Sequence, residues 1–142
     1  MDYNEFIESR INSNPRADRG DMLLTRGKTE IFRTNSVQFH ALTTDFLFYG
    51  HNDKEKSTHV FLSAPIEHVD GTYTSYYDAS HPNNFSWSIQ TADDDHLVKV
   101  KTGTVTFTLS ENRHHVEGGY TITLPDNTEL SGKFDITQVS QN

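Results

Sequence analysis

The chain has 142 residues, a third of them hydrophobic, no cysteine, and 20 acids against 12 bases, for a net charge of −8. That length fits one domain with one core. The missing cysteine excludes disulfides, thiolate catalysis and Cys-ligated zinc. No run approaches the roughly 18 apolar residues of a membrane helix, and the acidic balance argues against nucleic acid, whose phosphates need clustered Lys and Arg.

The chain opens Met1-Asp2-Tyr3-Asn4-Glu5-Phe6, without the basic and apolar regions of a signal peptide, so the expected location is cytoplasmic. Tyr3, Phe6, Ile7 and Ile11 fall at i, i+3, i+4 and i+8, the stripe of an amphipathic helix over residues 1–14. Asn14-Pro15 stops it, because the residue before proline is pushed out of the α region. Residues 15–21, charged and carrying Gly20, read as a linker loop, and residues 22–142 as a single antiparallel β domain.

From Met22 onward apolar and polar residues alternate, with Thr common and Ala rare, the bias of pleated, half-buried surfaces. Expected strands run Met22–Thr25, Thr29–Thr34, Val37–Thr43, Asp45–Tyr49, Thr58–Ala64 and Gly71–Asp78. They continue with Phe85–Thr91, His96–Lys101, Thr104–Leu109, Gly119–Leu124 and Leu130–Thr137. Glu111-Asn112-Arg113 and Pro125-Asp126-Asn127 read as tight hairpin turns, and 51–57 as a longer polar hairpin loop. Gly118-Gly119 and Ser131-Gly132 are candidates for bends or bulges. The fold class is therefore mostly β: an antiparallel β-barrel or β-sandwich of about 8–10 strands with one short N-terminal α-helix.

The C-terminal run, Gly103-Thr-Val-Thr-Phe-Thr-Leu and then Gly119-Tyr-Thr-Ile-Thr-Leu through Asp135, resembles small bacterial β-barrel and sandwich domains, calycin-like ones included. The resemblance rests on alternation and hairpin glycines. The Gly-x-Trp mark of lipocalins is absent, Trp87 lying in Phe85-Ser86-Trp87.

Charge is unevenly spread. Residues 57–95 hold Glu67, Asp70, Asp78, Asp93, Asp94 and Asp95 and no Lys or Arg, so six of the eight excess negative units fall there. The same segment holds Tyr73, Tyr77, Phe85 and Trp87, with Asp78, His81, Asn83 and Asn84 in the loop between them. Rigid rings with amide and carboxylate neighbours are good contact material. The ordinary alternative is that the rings are core and cross-strand pairs and the acids solvated turns.

Eight histidines raise a metal question. There is no His-Glu-x-x-His and no His-x-His, and His114-His115 point to opposite faces of a strand. The Asp93–Asp95 run lacks the glycine and distal glutamate of a calcium loop. No metal and no cofactor is expected. Neither a nucleophile elbow nor a phosphate-cradling loop occurs, so the expectation is a non-catalytic β domain. Its first expected partner is a small apolar or sugar-like ligand, held in a mouth lined by Tyr73, Tyr77, Phe85 and Trp87. The second is a basic protein docked on an acidic face formed by Glu67, Asp70, Asp93, Asp94 and Asp95, as an inhibitor or immunity-type protein would dock it. A homodimer is compatible with either.

Overall fold

The computed structural model describes Glu5 and residues 18–52, 58–81 and 85–139. Its elements are eleven strands: β1 Arg19–Arg26, β2 Thr29–Thr34, β3 Val37–Ala41, β4 Asp45–His51, β5 His59–Pro65, β6 Gly71–Asp78, β7 Ser88–Gln90, β8 Val98–Lys99, β9 Thr102–Ser110, β10 His115–Thr123 and β11 Glu129–Thr137. They form two antiparallel sheets packed as a sandwich, a six-stranded one in the order β2-β1-β11-β10-β9-β6 and a five-stranded one in the order β3-β4-β5-β7-β8. The helix expected over residues 1–14 lies, apart from Glu5, outside the described residues. So do residues 53–57 of the expected hairpin loop.

The linker expected over residues 15–21 needs correction where it is described. Asp18 bridges to Val37, and β1 already pairs with β11 from Arg19. Two features make strand of this polar stretch. The Asp18 carboxylate, 6% exposed, accepts hydrogen bonds from the backbone N–H of Phe39 at 2.9 Å and of Val139 at 3.2 Å. Gly20 takes φ 139°, where a Cβ would run into the Asp135 carbonyl, so no other residue enters the sheet there.

Alternation does the rest. On β9, β10 and β11 the inward set Val105, Phe107, Leu109, Val116, Tyr120, Ile122, Leu130, Phe134 and Ile136 is buried, and it meets Phe39, Phe46, Phe48, Val60 and Leu62 from the other sheet. Phe48 sits at the centre, its ring 5.5 Å from Phe39, 5.3 Å from Phe107 and 5.0 Å from Phe134. Burying each such ring contributes roughly 1.5–3 kcal/mol. The β9–β10 turn holds Glu111, Asn112 and Arg113 at φ 55–65°, and Asn127 at φ 69° closes the β10–β11 turn. Both turns fix a register that runs unbroken along β10 on both sides, so neither Gly118-Gly119 nor Ser131-Gly132 forms a bulge. Gly132 is required for another reason: the Leu23 carbonyl and the Tyr120 phenol fill the space its Cβ would take. The irregularity lies between Leu24 and Thr25, where β1 pairs with β2.

Candidate functional site

Because the pleat sends alternate residues to opposite faces, the registers across the six-stranded sheet order its outer face into rows. One row reads Asp21, Asp135, Glu117, Thr108, Thr72, and the next Leu23, Lys133, Gly119, Thr106, Thr74, with Arg33 opposite Leu23. A third reads Thr25, Ser131, Thr121, Thr104, Tyr76. Hydroxyls pair across strands, Thr72 with Thr108 at 2.8 Å and Thr74 with Thr106 at 2.9 Å. Apart from Leu23 and Tyr76 the face is polar, and among the described residues it carries two depressions. The larger, about 550 Å³, is lined by Asp21, Arg33, Thr106, Glu117, Lys133 and Asp135 among others. The smaller, about 330 Å³, is lined by Tyr76, Asp78, Thr102, Thr104, Thr121 and Thr123 among others.

Tyr76 is the feature that the polar pattern does not require. Its side chain points outward from β6 and is 76% exposed, whereas Tyr77, its neighbour, is 4% exposed. At the end of the same strand Asp78 accepts a hydrogen bond from the Ser80 hydroxyl at 2.7 Å and from the Ser80 N–H at 2.9 Å. Those two bonds, the hydroxyl first, hold its carboxyl below the usual carboxylate range, so it presents a charged acceptor beside the Tyr76 ring.

The mouth expected from Tyr73, Tyr77, Phe85 and Trp87 does not exist as such. Tyr77 stacks on Trp87 with ring centroids 4.8 Å apart, and Trp87, 1% exposed, donates its indole N–H to the Ser63 carbonyl at 3.0 Å and hydroxyl at 3.1 Å. Tyr73 packs on Phe107 and donates its hydroxyl to the Val69 carbonyl at 2.6 Å. Phe85 joins a second apolar cluster with Leu47, Tyr49 and Phe61. Parity explains the correction: Tyr73 and Tyr77 share the inward face of β6, and Tyr76 shares the outward one with Thr72 and Thr74. The same alternation was visible in Gly71–Asp78, and it points to Tyr76. His81 is exposed, its ring 3.0 Å from the Ser80 hydroxyl; Asn83 and Asn84 lie outside the described residues.

The acids of 67–95 are not brought together. Asp70 precedes β6 and Asp78 ends it, about 27 Å apart at about 3.4 Å per residue. Asp70 accepts from the Asn112 and Arg113 N–H groups at 3.0 and 2.8 Å, and the Glu67 carbonyl accepts from Arg113 at 3.1 Å. Those two acids therefore brace the β9–β10 turn. Asp93, Asp94 and Asp95 lie between β7 and β8 of the other sheet, where Asp94 accepts from the Thr91 N–H and hydroxyl. Three carboxylates do meet, but elsewhere: Asp21, Asp135 and Glu117 in the first row. Directly opposed like charges destabilise a sheet. Sequence reading passed over them because they come from three strands.

Fold and face together define a two-sheet antiparallel β-sandwich with one open, hydroxyl-rich sheet surface. No protein-family model, no curated protein and no solved structure matches the chain. No helix among the described residues is long and apolar enough to cross a membrane.

Proposed function

We propose that the protein is a binding module that takes a small sugar-like ligand on the outer face of its six-stranded sheet. The observation that carries this reading is Tyr76, an aromatic ring left exposed on an otherwise polar surface. Around it stand Thr102, Thr104, Thr121 and Thr123 and the charged Asp78. A flat ring accepts the apolar face of a pyranose, while hydroxyls and a carboxylate take its equatorial hydroxyls; that division of labour suits side chains with an apolar body and polar surroundings. The polarity of the surface favours a sugar-like ligand over an apolar one. Docking of a basic protein on residues 67–95 has less support, since those acids face different ends and different sheets.

The test is ligand-observed NMR with a panel of neutral and acidic saccharides, followed by backbone amide shifts in the labelled protein. At least one saccharide is expected to shift amides of β6, β9 and β10 around Tyr76. Tyr76→Ala should abolish the effect and Tyr76→Phe retain it, because stacking needs the ring and not the hydroxyl. A saccharide response that survives Tyr76→Ala, or a panel without response, would sink the proposal.

A further inference from the structure

On the same face His115, together with Glu117 and Asp135 from the lining of the larger depression, offers a ligand set of one imidazole nitrogen and two carboxylate oxygens, all within 4.8 Å of one another. We propose that these three side chains form a binding site for a first-row divalent transition metal, zinc foremost. The proposal does not depend on saccharide binding at Tyr76.

The site is built on rigid backbone. His115 and Glu117 are two apart on β10 and so share its outward face, and Asp135 on β11 is the direct cross-strand partner of Glu117. The His-x-Glu spacing does on one strand what His-x-His would do, and the third donor comes from register. The His115 Nε2 lies 2.7 Å from an Asp135 carboxylate oxygen, while its Nδ1 lies 2.8 Å from the Ser110 hydroxyl. In the metal-free chain a proton lies between Nε2 and the Asp135 oxygen; a cation that replaces it, with Nδ1–H then donating to the Ser110 hydroxyl, meets the Nε2 lone pair and the carboxylates together. This is how a second partner fixes a ligating imidazole. Side-chain rotation closes the donors to the roughly 2.0–2.2 Å that zinc takes from nitrogen and oxygen.

Charge points the same way. Asp21, Asp135 and Glu117 stand side by side, three carboxylates against two permanent cations: Arg33 lies 3.6 Å from Asp21 at a half-exposed pair, Lys133 lines the same depression, and His115 is charged only when protonated. Among the described residues the Glu117 side chain has no hydrogen bond or ion pair. A divalent cation at the three donors removes the repulsion within the row. Imidazole with two carboxylates suits zinc and its first-row neighbours better than calcium or magnesium, which favour all-oxygen shells. Three protein donors leave a coordination position for water or a ligand group.

Isothermal titration of the metal-stripped chain with Zn²⁺, with Co²⁺ absorption as the spectroscopic readout, tests the site. Binding of one ion per chain is expected, with visible Co²⁺ bands that Zn²⁺ displaces. His115→Ala, Glu117→Gln and Asp135→Asn should each weaken it by about tenfold or more. Asp126→Asn, at an exposed acid in the β10–β11 turn, should leave it unchanged. Glu117, Asp135 and Asp126 are exposed and the His115 side chain is 20% exposed, and circular dichroism checks that each variant keeps the fold. Uptake in several weak equivalents, or binding that the three variants leave intact, overturns the proposal. So would a His115→Ala chain whose only change is lower stability.

Discussion

The two sheets bury their residues differently. In the six-stranded sheet β9, β10 and β11 alternate, one face in the core and one toward solvent. In the five-stranded sheet Asp45 to Gly50 of β4 and His59 to Ala64 of β5 are buried without interruption. Phe46, Phe48, Val60, Leu62 and Ala64 belong to the cluster between the sheets, while Leu47, Tyr49 and Phe61 belong to a second cluster on the far side, with Phe85 and, partly buried, Leu42 and Leu97 against it. An antiparallel sheet can leave one face wet; this sandwich leaves it wet on the six-stranded sheet, and there the exposed Tyr76 and the His115, Glu117 and Asp135 donors lie. The five-stranded sheet is correspondingly committed to packing.

The largest effect expected of a single change is at the shared centre. Phe48→Ala removes a ring that is fully buried and touches Phe39, Phe107 and Phe134, and should cost about 3–5 kcal/mol in urea unfolding. The contrast between the sheets is sharpened by the next pair. Leu47→Ala, on the far face of the five-stranded sheet, should cost about 2–5 kcal/mol. Thr106→Ala, on the outward face of the six-stranded sheet, should stay within about 0.5 kcal/mol. A Leu47→Ala cost as small as that of Thr106→Ala would break the distinction and return the far face to solvent.

Sequence reading recovers what alternation and turn chemistry encode locally. Thr29–Thr34 and Gly71–Asp78 are strands with the expected bounds, and the Glu111–Arg113 and Pro125–Asn127 turns connect the expected neighbours. Two further expected strands shrink: Phe85–Thr91 to Ser88–Gln90 and His96–Lys101 to Val98–Lys99. Phe85 packs into the far cluster instead of pairing, and Val100 donates its N–H to the Trp87 carbonyl at 3.0 Å, outside the β8 ladder. A run such as Phe46-Leu47-Phe48-Tyr49 does not say which of its residues face the other sheet, because both faces are apolar. The candidate sites split in the same way. Tyr76 was legible from parity alone. The meeting of His115 and Glu117 with Asp135 needed the β10–β11 register, which no local pattern states.

A smaller effect than that of either core truncation lies where the sheets' common core meets the six-stranded backbone. Tyr120, 3% exposed, donates its hydroxyl to the Leu23 carbonyl at 2.6 Å, across the strand between them. Tyr120→Phe keeps the ring and should cost about 1 kcal/mol, the net worth of one such bond. Its pH dependence is the sharper measure. Burial pushes the phenol's pKa upward, because the folded chain disfavours the phenolate. The unfolded chain ionises from about pH 10 while the folded chain does not. A group raised in the folded state lends its stability in full below that pH and loses it above. Unfolding free energy should therefore fall more steeply between about pH 9 and about 11 in the native chain than in Tyr120→Phe. Equal slopes would mean that Tyr120 reaches solvent from the open face, and the boundary between the wet and dry sides of this sheet would lie one layer deeper than its burial indicates.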